Sequence, residues 1–130
     1  MEQLIFKIPN EYQFLVNQLF EIEKKVNDIQ ESNSIQRNID RIKSFFETEL
    51  LKDGSGFVYH NPKGENWDES RIDCEANISG TGTENLEIID VIKPMIIYKY
   101  KSIDPITSQE VIKPFIVQKA IVIVKSKNSE

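Results

Sequence analysis

The sequence predicts an α+β fold, in which an N-terminal helical stalk of two helices is followed by a small all-β domain of about six short strands. Before Gly54, apolar residues are spaced three and four positions apart, as on one face of a helix. After Gly54, short β-branched runs are separated by Gly, Pro and Asn, which is typical of strands. Gly54 itself suits the end of a helix. The expected division is residues 1–54 for the helical stalk and 55–130 for the β-domain.

The first helix is expected from about residue 11 to residue 31, after a short apolar arm at residues 1–9. Asn10 follows Pro9 and can cap the helix, with Gln13 in the reciprocal capping position. Its apolar row covers fewer than three heptads, which is too short for a stable isolated coiled coil. We therefore expect the row to be buried against another helix, within the chain or in an oligomer, through Leu15, Leu19, Ile22 and Val26.

The second helix follows a polar break at residues 32–34 and carries its own apolar row, which includes Ile39, Ile42 and Phe46. The two helices form either a hairpin or one kinked rod. In both cases the apolar stripes are too broad to remain in water. Pairing with a second copy of the chain into a bundle is the simplest way to bury them, and docking on a different chain is the alternative.

The predicted strands lie between turn signals such as Gly80–Gly82, Pro94 and Asp104–Pro105. Pro114 is expected to divide the last stretch into two strands, or to mark a bulge in one edge strand. Residues 120–124 are apolar on both faces and should form the most buried strand. The expected strands are 57–60, 72–79, 86–92, 95–101, 111–112 and 116–124, arranged as a sandwich or half-barrel.

The charge of the chain is uneven, although its net value of −5 gives no reason to expect duplex nucleic acid as a partner. Residues 60–90 carry eight acidic side chains, and residues 91–128 carry seven lysines. We interpret the two stretches as neighbouring strands whose charges pair across a sheet. The single cysteine and the lack of a signal-peptide pattern predict a cytoplasmic protein, and no apolar run is long enough to span a membrane.

The sequence offers little evidence for catalysis. One histidine, His60, and one cysteine, Cys74, cannot form a typical zinc site, and neither has a partner at a spacing that specifies catalysis. We therefore predict no catalytic residue, no metal site and no cofactor. Trp67, the single tryptophan, lies in a loop, where it either fixes the loop to the sheet or forms part of a contact surface.

Three segments in the second half of the chain resemble the GrpE family, the nucleotide-exchange factors of DnaK-type chaperones. The loop Pro62–Asp68 is similar to a family loop in which a proline and a glycine are followed by an aromatic residue and Asp, with Trp67 in place of Phe. The stretch Val91–Tyr98 is similar to a family hairpin, with Met95 and Ile96 where a glycine is usual. The segment Lys119–Val124, in which valines alternate with isoleucines, is also similar to the last strand of the family. The resemblance covers about residues 35–125.

This resemblance implies a helical homodimer whose β-domain contacts the ATPase domain of a chaperone. Such a protein binds the open nucleotide cleft more tightly than the closed one, and this difference in affinity releases the nucleotide. The contact is expected to involve the β-domain residues Trp67, Asp68, Lys93, Pro94, Met95 and Tyr98. For Met95 and Tyr98, a place in the core of the sheet is the alternative.

Two other classes of function remain open from the sequence. The chain is alternatively a non-enzymatic adaptor or assembly subunit, whose helices dock on a larger complex and whose β-domain binds protein. A single-stranded nucleic-acid binder would use the lysine-rich half together with Tyr98, Tyr100 and Phe115, but the net acidity opposes it.

Overall fold

The computed structural model of the protein describes residues 8–29 and 33–127. These residues form two helices followed by seven strands, which confirms the α+β fold with an N-terminal helical part and a β-domain. The strand beyond the predicted six is a two-residue strand in the Trp67 loop. Residues 1–7 of the predicted arm and the end of the chain after residue 127 lie outside the described residues. The elements are α1 (Asn10–Val26), α2 (Asn33–Thr48), β1 (Gly56–His60), β2 (Asn66–Trp67), β3 (Cys74–Ser79), β4 (Leu86–Lys93), β5 (Met95–Ile103), β6 (Glu110–Gln118) and β7 (Ala120–Ser126).

The described strands form two sheets, one of three strands in the order β1-β5-β6 and one of four in the order β2-β4-β7-β3. All neighbours are antiparallel except β3 and β7, which are parallel. The chain passes between the sheets at Pro94, between β4 and β5, and returns at Lys119, between β6 and β7. Proline suits such a crossing because it has no N–H to donate to a ladder. Side chains of both sheets meet in one apolar core cluster, which includes Ile88, Met95, Val122 and Val124.

The last strand has the expected alternation. Ala120, Val122 and Val124 are fully buried, whereas Ile121 and Ile123 on the opposite face are partly exposed. The expected break at Pro114 is wrong, because β6 continues through it and pairs Pro114 with Lys99 of β5. The proline is tolerated because β6 is an edge strand, where one backbone side needs no ladder partner.

The ends of the helices differ from the sequence expectation. Asn10 is the first residue of α1 rather than its cap, Pro9 precedes it, and no side chain caps the helix. Gln13 instead donates a hydrogen bond to Gln118 of β6. The helix ends at Val26, about five residues before the predicted end, since the polar residues that follow form turns.

The two helices form a hairpin, not a kinked rod, and they pack on the β-domain instead of standing free as a stalk. Glu23 of α1 accepts a hydrogen bond from Gln36 of α2. Buried residues of both helices form one cluster with Phe57 of β1 and Ile96 of β5. Phe20 of α1 belongs to the core cluster of the sheets. The helical part and the β-domain therefore share an interior across the expected boundary at residue 54.

The end of α2 covers the free edge of β1. A Cβ atom added at Gly56 would lie 1.8 Å from the carbonyl oxygen of Glu47, so only glycine allows this approach of the two backbones. Lys99 of β5 reaches across to the Glu47 carboxylate at 2.9 Å. A helix laid over an edge strand keeps that edge from pairing with another chain.

Candidate protein-binding surfaces

The apolar residues predicted to lie between helices divide into a buried set and an exposed set. Leu19, Val26, Ile39 and Phe46 are buried within the chain, in a cluster that also contains Phe57 of β1 and Ile96 of β5. The other three are not buried in the chain: Leu15 is 48% exposed, Ile22 49% and Ile42 45%. The reason is geometric, because α1 places Val16, Leu19 and Phe20 against the sheets, and this turns the row of Leu15 and Ile22 outward.

Together with neighbouring apolar residues, the exposed set forms a surface that we call the helical face. In α1 and the turn after it, Leu15, Ile22 and Ile29 are seven residues apart, and in α2 Ile35 and Ile42 have the same spacing. A seven-residue repeat keeps apolar side chains on one side of a helix. The helical face consists of Phe14, Leu15, Ile22, Ile29, Ile35, Ile42 and Phe45, each at least 40% exposed.

A polar cluster around Glu23 fixes the helical hairpin to β1. The hydroxyl of Tyr59 donates to Glu23 Oε1 at 2.6 Å, Gln36 donates to Oε2 at 2.8 Å, and the ammonium of Lys43 lies 3.4 Å from Oε2. Burial alone would raise the pKa of Glu23, but these hydrogen bonds and the charge of Lys43 hold it below its ordinary value. Burial and the same carboxylate raise the pKa of Tyr59. The cluster is therefore an ionised carboxylate with well-defined partners.

A second polar cluster, around Gln118, joins α1 to both crossings between the sheets. Gln118 Nε2 donates to the carbonyl of Pro94 at 2.8 Å and to Asn17 Oδ1 at 3.0 Å. Its Oε1 accepts from Gln13 at 2.9 Å and from Asn17 at 3.0 Å. Gln118 ends β6 immediately before the second crossing, and Pro94 forms the first. This side-chain amide thus joins α1 to the points where the chain crosses between the sheets.

The predicted contact residues of the β-domain do not form one surface. Lys93 and Asp68 are exposed, but Pro94 and Met95 are buried, so the expectation of a surface centred on them is wrong. They are buried because the chain turns from one sheet to the other at Pro94, and this places Met95 in the core cluster. Tyr98 is half-buried, with its ring centroid 5.2 Å from that of Phe57 under the helices.

Trp67 fixes its loop to the sheet and also lines a groove. The loop is bound to β4 by backbone hydrogen bonds, from Gly64 N to Ile88 O at 2.8 Å and from Ile88 N to Glu65 O at 2.9 Å. The indole packs against the core cluster, and its buried Nε1 has no acceptor among the described residues. Beside it lies a groove of about 600 Å³, which we call the Trp67 groove. Its lining residues are Trp67, Asp68, Glu69, Ile78, Thr83, Glu84, Asn85 and Leu86.

The groups with the greatest potential for catalysis are held in structural contacts. His60 contacts Glu65, and Arg71 joins Glu65 at 3.2 Å to Asp73 at 3.0 Å. Cys74 is buried, and burial raises the pKa of its thiol to about 11, so the thiol stays protonated at neutral pH. In the described part of the chain, no three His, Cys, Asp or Glu side chains are grouped so as to hold a metal ion.

The expected pairing of the acidic and basic stretches is mostly absent. None of the ion pairs formed by the described residues joins an acid of residues 60–90 to a lysine of residues 91–128. Glu87 and Lys125 do come opposite each other on β4 and β7. Lysines of β5 instead reach Glu47 of α2 and Glu110 of β6. Glu69 and Glu84, which line the Trp67 groove, take part in none of these ion pairs.

Comparison with protein-family models, with curated protein sequences and with solved structures finds no match to this chain. No helix in the described ranges is long and apolar enough to cross a membrane. The surfaces above therefore carry the functional argument, and the resemblance to the GrpE family stays a prediction.

Proposed function

We propose that this chain acts by binding other proteins, as a GrpE-like nucleotide-exchange factor of a DnaK-type chaperone, and that it is a cytoplasmic homodimer. The helical face is the observation that carries the proposal, because its large apolar side chains are each at least 40% exposed, and exposed apolar side chains of this size are typical of protein-binding surfaces. Binding alone suffices for this function, which needs no catalytic residue and no cofactor.

The helical face is proposed to be buried in the homodimer. A second copy offers an equal apolar face, so the two hairpins can close into a four-helix bundle about a twofold axis. The seven-residue spacing of Leu15 and Ile22 on α1, and of Ile35 and Ile42 on α2, favours helices that pack nearly in line. The dimer would remove the exposed apolar side chains from water, which is the main source of its stability.

Exchange activity is supported by the order of the three GrpE-like segments and by the way the helices are held. The clusters around Glu23 and Gln118 join the hairpin to the β-domain at two separate places. A partner that touches both parts therefore meets them at a defined angle. Binding energy can then favour the open state of a two-lobed ATPase domain over the closed state, which is what releases nucleotide. Lys93 and Asp68, which are exposed, are proposed to contact that domain.

A non-enzymatic adaptor is the second candidate, and the burial of Pro94 and Met95 favours it. These two residues cannot lead a contact from the β-domain, whereas the helical face is exposed in any case. An adaptor would use the helical face to dock on a larger assembly and would not affect nucleotide binding.

Release of a fluorescent ADP from a DnaK-type ATPase of the native host separates the two candidates. An exchange factor should increase the release rate in proportion to its concentration until it saturates the ATPase. Lys93→Glu should reduce the increase, and Lys113→Glu, an exposed lysine on the other sheet, should leave it unchanged. A release rate unaffected by the unmodified chain would contradict exchange activity and leave the adaptor as the proposal.

A further inference from the structure

The Trp67 groove lies at one end of the four-stranded sheet and is lined by β2, β3, β4 and their connecting loops, with no helical residue in its wall. Trp67 is opposite Leu86 in the strand register, and Ile78 belongs to the row of Val124 and Ile88. Side chains opposite each other point to the same face of a sheet. Trp67, Leu86 and Ile78 therefore form an apolar floor on the side that elsewhere faces the core.

This floor is incompletely covered. Ile78 is 49% exposed, although Val124, its neighbour in the same row, is fully buried. The indole Nε1–H of Trp67 is buried without an acceptor, and an unpaired buried donor lowers stability. An occupant that covers Ile78 would remove this apolar surface from water.

The rim of the groove is acidic on two sides. Asp68 and Glu69 come from the loop after β2, and Glu84 comes from the loop before β4. Hydrogen bonds from Ser70 hold the pKa of Asp68 below its ordinary value, so this carboxylate is ionised at neutral pH. No lining residue is basic. Two basic residues lie beside the groove. Arg71 binds Glu65 and Asp73 and its charge also lowers the pKa of Asp68, and the ammonium of Lys127 contacts Asn66.

We propose that the Trp67 groove binds a short basic segment of a partner protein, with apolar side chains on the floor and Lys or Arg side chains at the two rims. The volume of about 600 Å³ is that of a site for an organic ligand rather than for a single ion. Charge complementarity selects a basic segment, and the face of an indole also attracts cations. The inference stands independently of nucleotide exchange, which none of its steps uses.

The emission of Trp67, the single tryptophan of the chain, reports binding directly. The probe is the peptide acetyl-Lys-Leu-Lys-Leu-Lys-amide, and its control is acetyl-Glu-Leu-Glu-Leu-Glu-amide. We expect a saturable change in emission with the lysine peptide, weaker at high salt, and none with the glutamate peptide. No saturable change with the lysine peptide, or equal binding of both peptides, would overturn the proposal.

Two variants test the rim and the floor separately. Glu69→Gln combined with Glu84→Gln should weaken binding about tenfold, whereas Glu49→Gln combined with Glu75→Gln, at exposed positions outside the groove, should not. Ile78→Ser should also weaken binding, since it removes the apolar floor. Equal affinity for the rim variant and its control would overturn the proposal. So would a change in emission on dilution of the chain alone that the rim variant abolishes, because the occupant would then be a second copy.

Discussion

At the scale of single residues, Glu23 shows how one carboxylate can join three elements. It lies on α1 and binds Tyr59 of β1 together with Gln36 and Lys43 of α2. The side chain is 19% exposed, so solvent screens these contacts only in part. Loss of the charge on Glu23 would leave the hydroxyl and the ammonium with a weaker partner.

Glu23→Gln is expected to lower the free energy of unfolding by about 1–2 kcal/mol at neutral pH. The pKa of Glu23 in the folded chain is below its ordinary value of 4.5, so its stabilising contribution is present above pH 4.5 and is lost as the pH falls through the folded value. The difference between the unmodified chain and Glu23→Gln should therefore shrink on acidification. Urea unfolding at several pH values measures this difference in the free energy of unfolding. A difference that grows toward low pH would contradict the assigned role of Glu23.

The sequence identifies residues of the candidate sites better than it predicts whether their side chains face the core or the solvent. Trp67 was expected either to fix its loop or to line a surface, and its position in the structure allows both. For Pro94 and Met95, the resemblance to the GrpE family predicts a place in a contact surface. The crossing between sheets instead places them in the core. Such a crossing depends on distant strands, so local spacing could not predict it.

At the scale of elements, the contact between α2 and β1 depends on a single glycine. Gly56 lets the carbonyl of Glu47 approach the strand, and the helix then covers an edge that would otherwise be open. The sequence around Gly56 predicts a strand nearby but does not predict its contact with Glu47.

Gly56→Ala is expected to destabilise the chain by at least about 1–3 kcal/mol, because the added methyl would overlap the backbone of Glu47. Gly64→Ala is the matched control. Gly64 has φ +90 but open space around its Cβ, so alanine there suffers only backbone strain of about 1–2 kcal/mol. Thermal unfolding compares the two, and equal melting temperatures for Gly56→Ala and the unmodified chain would show that α2 does not pack on β1 in this way.

Turn residues predict most element boundaries, and the exceptions have identifiable causes. Pro94 and the Gly80–Gly82 turn separate strands as expected. Pro114 does not, since an edge strand tolerates proline, and edge position is a property of the whole sheet. The helical spacing predicts both helices, but it cannot predict which part of a broad apolar stripe meets the sheets. In the structure Leu19 meets the sheets and is buried, whereas Leu15 is exposed.

At the scale of the whole molecule, the protein presents two surfaces of different chemistry. The helical face is apolar, whereas the Trp67 groove combines an apolar floor with an acidic rim. The clusters around Glu23 and Gln118 join the helices to the sheets that carry the groove. The proposed homodimer uses the first surface, and the proposed basic segment uses the second.

The molar mass of the chain in solution shows whether the helical face is buried against a second copy. We expect twice the 15.1 kDa mass of one chain at micromolar concentration. Leu15→Ser combined with Ile22→Ser should reduce the mass to that of one chain without unfolding it, because both side chains are about half exposed in the single chain. Phe115→Ser on the edge strand β6 should leave the dimer intact. A single-chain mass at every concentration, or a dimer that persists in the double variant, would contradict the proposed homodimer.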